Sequence, residues 1–220
     1  MLECLASIQR HMRTLVPILF ITLGVACTAK KDASQMQDTT ASSTTAATGT
    51  ETPISSTETA VAPEVNPPGD IPDTQAFVKY TNAVGGYQLE VPEGWARTEA
   101  GADVAFVNKF DGVSVAVTPA SAAPTAASAR TKEATQIQSQ GHAVTINSVS
   151  EATLPGGKAA VIKYTSNSDL NPVTNKRIRL ENIAYIFYKN GKEATLTVWA
   201  PQGADNADQW NRMANSFRWQ

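Results

Sequence analysis

The chain has no aromatic residue between Phe20 and Phe77, and this gap separates a part that can build a hydrophobic core from a part that cannot. From Thr28 to about Asp70 the sequence is mostly Thr, Ser and Ala, interrupted by prolines at Pro53, Pro63, Pro67 and Pro68. Such a segment buries too little apolar area to offset the entropy lost on ordering. We therefore expect a disordered tether over residues 27–73 and a folded domain over residues 74–220.

A short apolar run precedes this tether and is typical of a secretion signal. Residues 10–13 (Arg-His-Met-Arg) supply positive charge, and residues 15–26 follow without a charged residue. The run is shorter than the roughly 20 residues that cross a bilayer, but it has the length of a signal-peptide apolar region. Residues 1–26 are therefore predicted to be a signal peptide, and Met12 is a candidate for the true start because a compact signal begins there.

The end of this signal carries a candidate lipidation site. Leu23-Gly24-Val25-Ala26-Cys27 resembles a bacterial lipobox, although most members have leucine at the position of Gly24. The resemblance implies that Cys27 receives a diacylglycerol unit, becomes the first mature residue and anchors the chain to a membrane, which takes two or more acyl chains. We expect an extracytoplasmic location in the cell envelope, and Thr28 favours the outer membrane if the host has one.

Composition excludes several kinds of chemistry from the domain. The formal net charge of -2 does not favour nucleic acid as a partner. Both cysteines, Cys4 and Cys27, lie near the N-terminus, so the domain has no disulfide, thiol nucleophile or cysteine metal ligand. His142 is the only histidine after the signal, and its Gly-His context is typical of a solvated loop. We therefore predict no metal site, no cofactor and no enzymatic activity.

Alternating apolar and polar residues predict an antiparallel sheet. The predicted strands lie within residues 87–91, 113–117, 144–149, 158–164, 177–189 and 193–200. Asn190-Gly191 between the last two predicts a type I′ hairpin, because both central residues of that turn need positive φ. Residues 183–188 are apolar on both faces, which predicts a central strand covered on both sides.

Two helices are expected to pack on this sheet. Residues 124–140 have no strand pattern and predict a surface helix that ends at Gly141. A final helix capped by Asp205 or Asn206 has its apolar stripe at Trp210, Met213, Ala214 and Phe217. The predicted fold class is α+β, an antiparallel sheet flanked by helices.

Three features together resemble the PsbP-like family, the α/β/α sandwich of extrinsic photosystem proteins and many bacterial lipoproteins. They are residues 86–95 (GYQLEVPEGW), the long Asn-Gly hairpin, and the final Trp210-x-x-Met213-x-x-Ser216-Phe217. The resemblance spans residues 77–219 and implies an accessory, non-catalytic domain that docks on membrane complexes. It carries over no binding residue, because the matched positions look like core and turn positions.

A few residues are candidates for contact with a partner. A basic cluster near a strand start consists of Lys176, Arg177 and Arg179. It is suited to contact with an acidic partner or with lipid headgroups. The alternative is a solvated edge that discourages strand pairing. Trp95 is a candidate for an exposed aromatic surface, together with Trp199 and Trp219.

These observations favour a lipid-anchored, monomeric protein of the cell envelope that acts as a non-enzymatic interaction or assembly module with a protein partner. The alternative is a binding protein for a small apolar or carbohydrate ligand held between sheet and helix. A small hydrolase is a third hypothesis. A cavity of several hundred Å³ with convergent polar groups would favour the ligand hypothesis, and an exposed apolar patch would favour a protein partner.

Overall fold

Ten strands and three helices form in residues 58–220, the part of the chain that the computed structural model describes. The strands are β1 Phe77–Asn82, β2 Tyr87–Pro92, β3 Ala96–Ala100, β4 Asp103–Asn108, β5 Asp111–Pro119, β6 His142–Leu154, β7 Gly157–Asn167, β8 Arg179–Lys189, β9 Lys192–Pro201 and β10 Arg218–Trp219. The helices are α1 Ala126–Thr131, α2 Glu133–Gln140 and α3 Ala207–Ser216. The predicted signal peptide, Cys27 and the tether up to residue 57 lie outside the described residues.

The strands form two antiparallel sheets. Seven of them pair in the order β3-β4-β5-β9-β8-β7-β6, and three pair in the order β1-β2-β10. Strand β8 is therefore an inner strand, as predicted from its two apolar faces. The α+β class and the antiparallel sheet flanked by helices are confirmed.

The main core lies between the two sheets and helix α3. Phe217 is fully buried and stacks on Phe187 of β8, with ring centroids 4.4 Å apart, and on Tyr87 of β2 at 5.8 Å. Trp210 and Met213, in the predicted apolar stripe of α3, are also buried here. Packing of α3 thus fixes the smaller sheet against the larger one.

A second, smaller core lies on the other face of the large sheet, under α1 and α2. Ala129 and Ala134 of these helices contact a cluster that includes Ile162 and Ile186. The single helix predicted over residues 124–140 is instead two helices separated at Lys132. Thr125 begins α1 with a capping box, and Gly141 ends α2 as predicted. Neighbouring side chains of β8 alternate between the two cores, which is why the strand is apolar on both faces.

The β8–β9 hairpin has the predicted turn. Asn190 has a φ of 50° and Gly191 a φ of 80°, the positive values that a type I′ turn requires. The strands on either side then pair without interruption from Lys189 opposite Lys192 to Leu180 opposite Pro201.

The end of the predicted tether differs from the expectation of disorder. Residues 58–73 lie on the domain in irregular conformation, and Ile71 is 5% exposed. Their backbone groups are bonded by side chains of the domain: the Val61 N–H donates to Asn167 Oδ1 at 3.0 Å, and the Ile71 N–H donates to Asn206 Oδ1 at 2.7 Å. Because these bonds come from side chains, the segment is ordered without the strand or helix pattern that a sequence would reveal.

Candidate functional site

A half-open cleft of about 340 Å³ lies between the large sheet and the N-terminus of α3. This volume is at the lower end of the range for small-molecule sites. The lining includes a basic, two acidic and two large aromatic side chains, namely Lys163, Glu181, Asp205, Tyr185 and Trp210. Lys163 and Asp205 are exposed, whereas Tyr185 and Trp210 are buried, so the lining is charged at the solvent-exposed mouth and aromatic at the buried base.

Two opposite charges line the cleft from neighbouring strands. Lys163 of β7 is exposed, whereas Glu181 of β8 is half-buried. Burial raises the pKa of Glu181 above its ordinary value, because partial desolvation disfavours the carboxylate. Neither side chain forms an ion pair with another residue in the described part of the chain.

The helical wall of the cleft is fixed by Asn206. This residue precedes α3, yet its side chain makes no capping bond to the helix. It instead accepts a hydrogen bond from Ile71 N at 2.7 Å and donates one to the Gly69 carbonyl at 2.8 Å. Of the two predicted cap residues, Asp205 and Asn206, Asn206 occupies the N-cap position. Its side chain does not cap the helix, however, and instead holds residues 69–71 against the domain.

A β-bulge shapes the sheet side of the cleft. Strand β6 loses its regular register with β7 between Ile146 and Ser148, and Asn147 is the extra residue. Asn147 is exposed and lines the cleft. Bulges of this kind re-aim a side chain and are common beside functional sites.

Arg179 of the predicted basic cluster is buried, with 6% of its surface exposed. Its guanidinium donates to Thr165 Oγ1 at 2.6 Å, to the Ala143 carbonyl at 2.8 Å and to Asn167 Oδ1 at 3.1 Å. Burial lowers the pKa of Arg179 from its ordinary value. The structure therefore assigns this side chain to cross-strand hydrogen bonding, which an alternation pattern cannot distinguish from an exposed charge.

The other predicted contact residues have different surroundings. Lys176 is exposed. Arg177 is half-buried, and its Nε lies 3.1 Å from Glu58 Oε1. Trp95 is partly buried and packs against the main core. Of the four residues, Lys176 alone is exposed.

His142 is not the solvated loop residue that its Gly-His context predicted. It opens β6, and its Nδ1 lies 2.8 Å from Glu58 Oε2 while its Nε2 lies 3.4 Å from Asp169 Oδ1. Asn167 Nδ2 also donates to Glu58 Oε1, at 3.0 Å. We call Glu58, His142, Asn167 and Arg177 the polar latch, because they join residue 58 to the domain. No sequence pattern predicted the polar latch, because Glu58 lies in a segment whose composition is that of the tether.

The loop between β7 and β8, residues 168–178, is exposed but internally bonded. Asn171 Oδ1 accepts from the N–H groups of Val173 and Thr174 at 2.9 and 3.0 Å. The Asn171 N–H in turn donates to the Lys176 carbonyl at 3.0 Å. This β7–β8 loop leaves Leu170 48% and Val173 90% exposed.

Within residues 58–220, no group of three or more His, Cys, Asp or Glu side chains is arranged to hold a metal ion. No helix among these residues has the length and hydropathy that a membrane span requires.

A family model described as PsbP matches residues 75–219. Among solved structures, cyanobacterial PsbP (CyanoP) from Synechocystis sp. PCC 6803 is 17% identical, with a TM-score of 0.49 over 66% of this chain and 94% of that chain. A protein from Bacteroides thetaiotaomicron VPI-5482 is 12% identical, with a TM-score of 0.43 over 64% of this chain and 48% of that chain. A protein of unknown function, PA94 from Pseudomonas aeruginosa, is 12% identical, with a TM-score of 0.37 over 61% and 90%. The sequence has no significant match among curated proteins.

Proposed function

The chain belongs to the PsbP family, and on this premise we propose that it is a lipid-anchored, monomeric protein of the cell envelope whose domain is a non-enzymatic interaction or assembly module. The family resemblance supports an accessory role, and the lipobox-like sequence at Cys27 supports the anchor. The outer membrane is the proposed destination in a host that has one.

The observation that carries the proposal is the exposed apolar surface of the β7–β8 loop. Leu170 and Val173 are large apolar side chains that this loop presents to solvent. The Asn171 hydrogen bonds order the loop internally. A pre-ordered loop loses little conformational entropy on binding, so its apolar side chains can contribute fully to affinity.

Charge near the loop indicates what a partner surface should carry. Lys176 is exposed at the C-terminal side of the loop. We propose that Leu170 and Val173 enter an apolar depression on the partner, and that Lys176 faces an acidic group at its rim. Rim charges mainly guide association, whereas buried apolar anchors determine how long a complex lasts.

The experiment is mild crosslinking in native membranes, followed by purification of the C-terminally tagged chain and mass spectrometry. The expected result is a stoichiometric partner that is lost in the double variant Leu170→Ser/Val173→Ser. Val84→Ser is the matched control, because Val84 is a valine 68% exposed in the β1–β2 turn, and it should retain the partner.

Two results would contradict the proposal. Recovery of the chain without any crosslinked protein would contradict the proposal that the domain is an interaction module. Recovery of the same partner by the double variant would show that contact is made elsewhere on the domain.

A further inference from the structure

The cleft beside α3 is lined by charged side chains that have no part in the proposed docking through the β7–β8 loop. Glu181 is a half-buried carboxylate without a cation, and Lys163 is a cation without an acid, yet both line the same small cavity. Asp205 adds a second carboxylate to the lining from the helix side. Of these three charges only Glu181 is partly desolvated, and a desolvated carboxylate is costly unless an opposite charge reaches it.

We propose that this cleft binds a small zwitterion of the α-amino acid class, with its ammonium group on Glu181 and its carboxylate towards Lys163. The inference is independent of the proposed docking function. It assigns a ligand site to the domain in addition to a protein contact.

The walls of the cleft are fixed in position before any ligand enters. Asn206 is tied to Gly69 and Ile71 through its side chain, which joins the start of α3 to the segment that precedes β1. On the other side the bulge at Asn147 directs an exposed amide into the lining. Fixed walls reduce the ordering cost that binding would otherwise carry.

The base of the cleft suits an apolar or aromatic side chain of the ligand. Ile183, Tyr185 and Trp210 supply aliphatic and aromatic surface there. Trp210 also leaves its indole Nε1 buried without an acceptor among the described residues. A cavity of about 340 Å³ can hold one amino acid together with bound water.

Charge complementarity separates this class from simpler ligands. An amine without a carboxylate would satisfy Glu181 but would meet the positive charge of Lys163. A carboxylic acid without an amine would satisfy Lys163 but would approach Glu181 and Asp205. A neutral sugar would leave both charges unmatched, so a zwitterion is the ligand that pairs each of them.

The test is ligand-observed NMR on the purified full chain with glycine, L-alanine, L-lysine, L-glutamate and L-phenylalanine as probes. Ethylamine, acetate and N-acetylglucosamine are the comparison ligands. At least one amino acid should bind saturably, and ethylamine and acetate should bind about tenfold more weakly or worse, since each lacks one charge-assisted hydrogen bond.

Variants locate the site. Glu181→Gln and Lys163→Gln should each weaken binding about tenfold or more. The matched controls are Glu93→Gln and Lys158→Gln, since both residues are exposed and lie outside the cleft lining, and they should leave affinity unchanged. Ala207→Leu, at an exposed cleft-lining position of α3, narrows the cavity without touching either charge and should also weaken binding.

The proposal is overturned if no amino acid binds, or if N-acetylglucosamine binds where amino acids do not. It is also overturned if both charge variants and Ala207→Leu, with melting temperatures equal to wild type, bind as wild type does. None of these outcomes depends on whether a protein partner is found.

Discussion

Asp111, the first residue of β5, is a buried acid in a region where most carboxylates are exposed. It is 5% exposed, and its Oδ1 has no hydrogen-bond donor among the described residues. Gly69 and Pro201 pack over it, and a Cβ on Gly69 would lie 2.9 Å from Asp111 Oδ1. Burial, followed by the charge of Asp70, raises the pKa of Asp111 from 3.8 to about 7.

This pKa predicts how stability varies with pH. The folded protein keeps the Asp111 proton up to about pH 7, whereas the unfolded chain releases it near 3.8. The contribution of this group to stability is therefore fully present below pH 3.8 and is lost as pH rises through 7. In Asp111→Asn, a neutral near-isostere, the free energy of unfolding should exceed that of wild type by about 1–3 kcal/mol at alkaline pH. The excess should shrink towards zero at acidic pH.

Urea denaturation across this pH range measures the difference. Asp208→Asn is the matched control, because Asp208 is exposed in the first turn of α3, and it should follow the wild-type curve. If the difference in unfolding free energy between Asp111→Asn and wild type does not change with pH, Asp111 does not have the raised pKa.

At the scale of elements, the start of the segment that enters the domain is joined to it by one acidic side chain. Glu58 receives a hydrogen bond from Asn167 and lies within ion-pair distance of His142 and Arg177. The Asn167 hydrogen bond, and then the contacts with His142 and Arg177, lower the pKa of Glu58 from 4.5 despite an opposing effect of desolvation. The latch contribution is therefore present above pH 4.5 and is lost as pH falls through the lowered pKa.

Glu58→Ala should release residues 58–61 from the domain without unfolding it. The Val61 amide, which donates to Asn167 Oδ1, should lose about tenfold or more of its protection from hydrogen exchange, because a charge-assisted anchor is gone. Amides of β8 and β9 should keep their protection.

The control for this experiment is Glu64→Ala, an exposed glutamate of the same segment that is not part of the latch. Hydrogen exchange followed by mass spectrometry measures the protection of residues 58–61 and of strands β8 and β9 in one experiment. Equal protection of Val61 in Glu58→Ala and in wild type would mean that the segment is held by its other contacts, such as Ile71.

The elements that the sequence predicted are those with strong local patterns. The Asn190-Gly191 turn and the stripe of α3 follow from local rules of dihedral angle and periodicity. The β3–β4 hairpin was not predicted, because all of Ala96–Ala100 is exposed and has no alternation of burial. That strand is held by backbone pairing with β4 across the turn at Gly101 and Ala102. Backbone pairing alone leaves no side-chain pattern in the sequence.

The candidate site was predictable only in part, for the same reason. The sequence suggested, as an alternative, a ligand held between sheet and helix, and the cleft lies between the large sheet and α3. No sequence pattern, however, predicted that Lys163 and Glu181 line the same cavity. Arg179 looked like a surface charge because the partners that bury it, Thr165 and Asn167, are on another strand. Pairing between strands, not local composition, decides which charges remain available.

At the scale of the whole molecule, the proposed membrane anchor can be tested with the two cysteines of the chain, Cys4 and Cys27. The lipobox-like sequence predicts acylation at Cys27 alone, because the apolar run and the small residues precede that cysteine only. Cys27→Ser should therefore abolish incorporation of labelled palmitate and move the protein from the membrane to the soluble fraction. Two or more acyl chains make attachment stable, so their loss cannot be offset by the domain surface alone.

Cys4→Ser is the matched control and should keep both the label and the membrane fraction. Cys4 lies within the predicted signal peptide, so it is absent from the mature protein whichever start codon is used. Cys4→Ser should therefore yield the same mature N-terminus as wild type, beginning at Cys27, which mass spectrometry can verify. Retention of Cys27→Ser in the membrane without label would mean that a partner, and not a lipid, holds the domain in place. Loss of label in Cys4→Ser would instead place the modification upstream and contradict the assignment of Cys27.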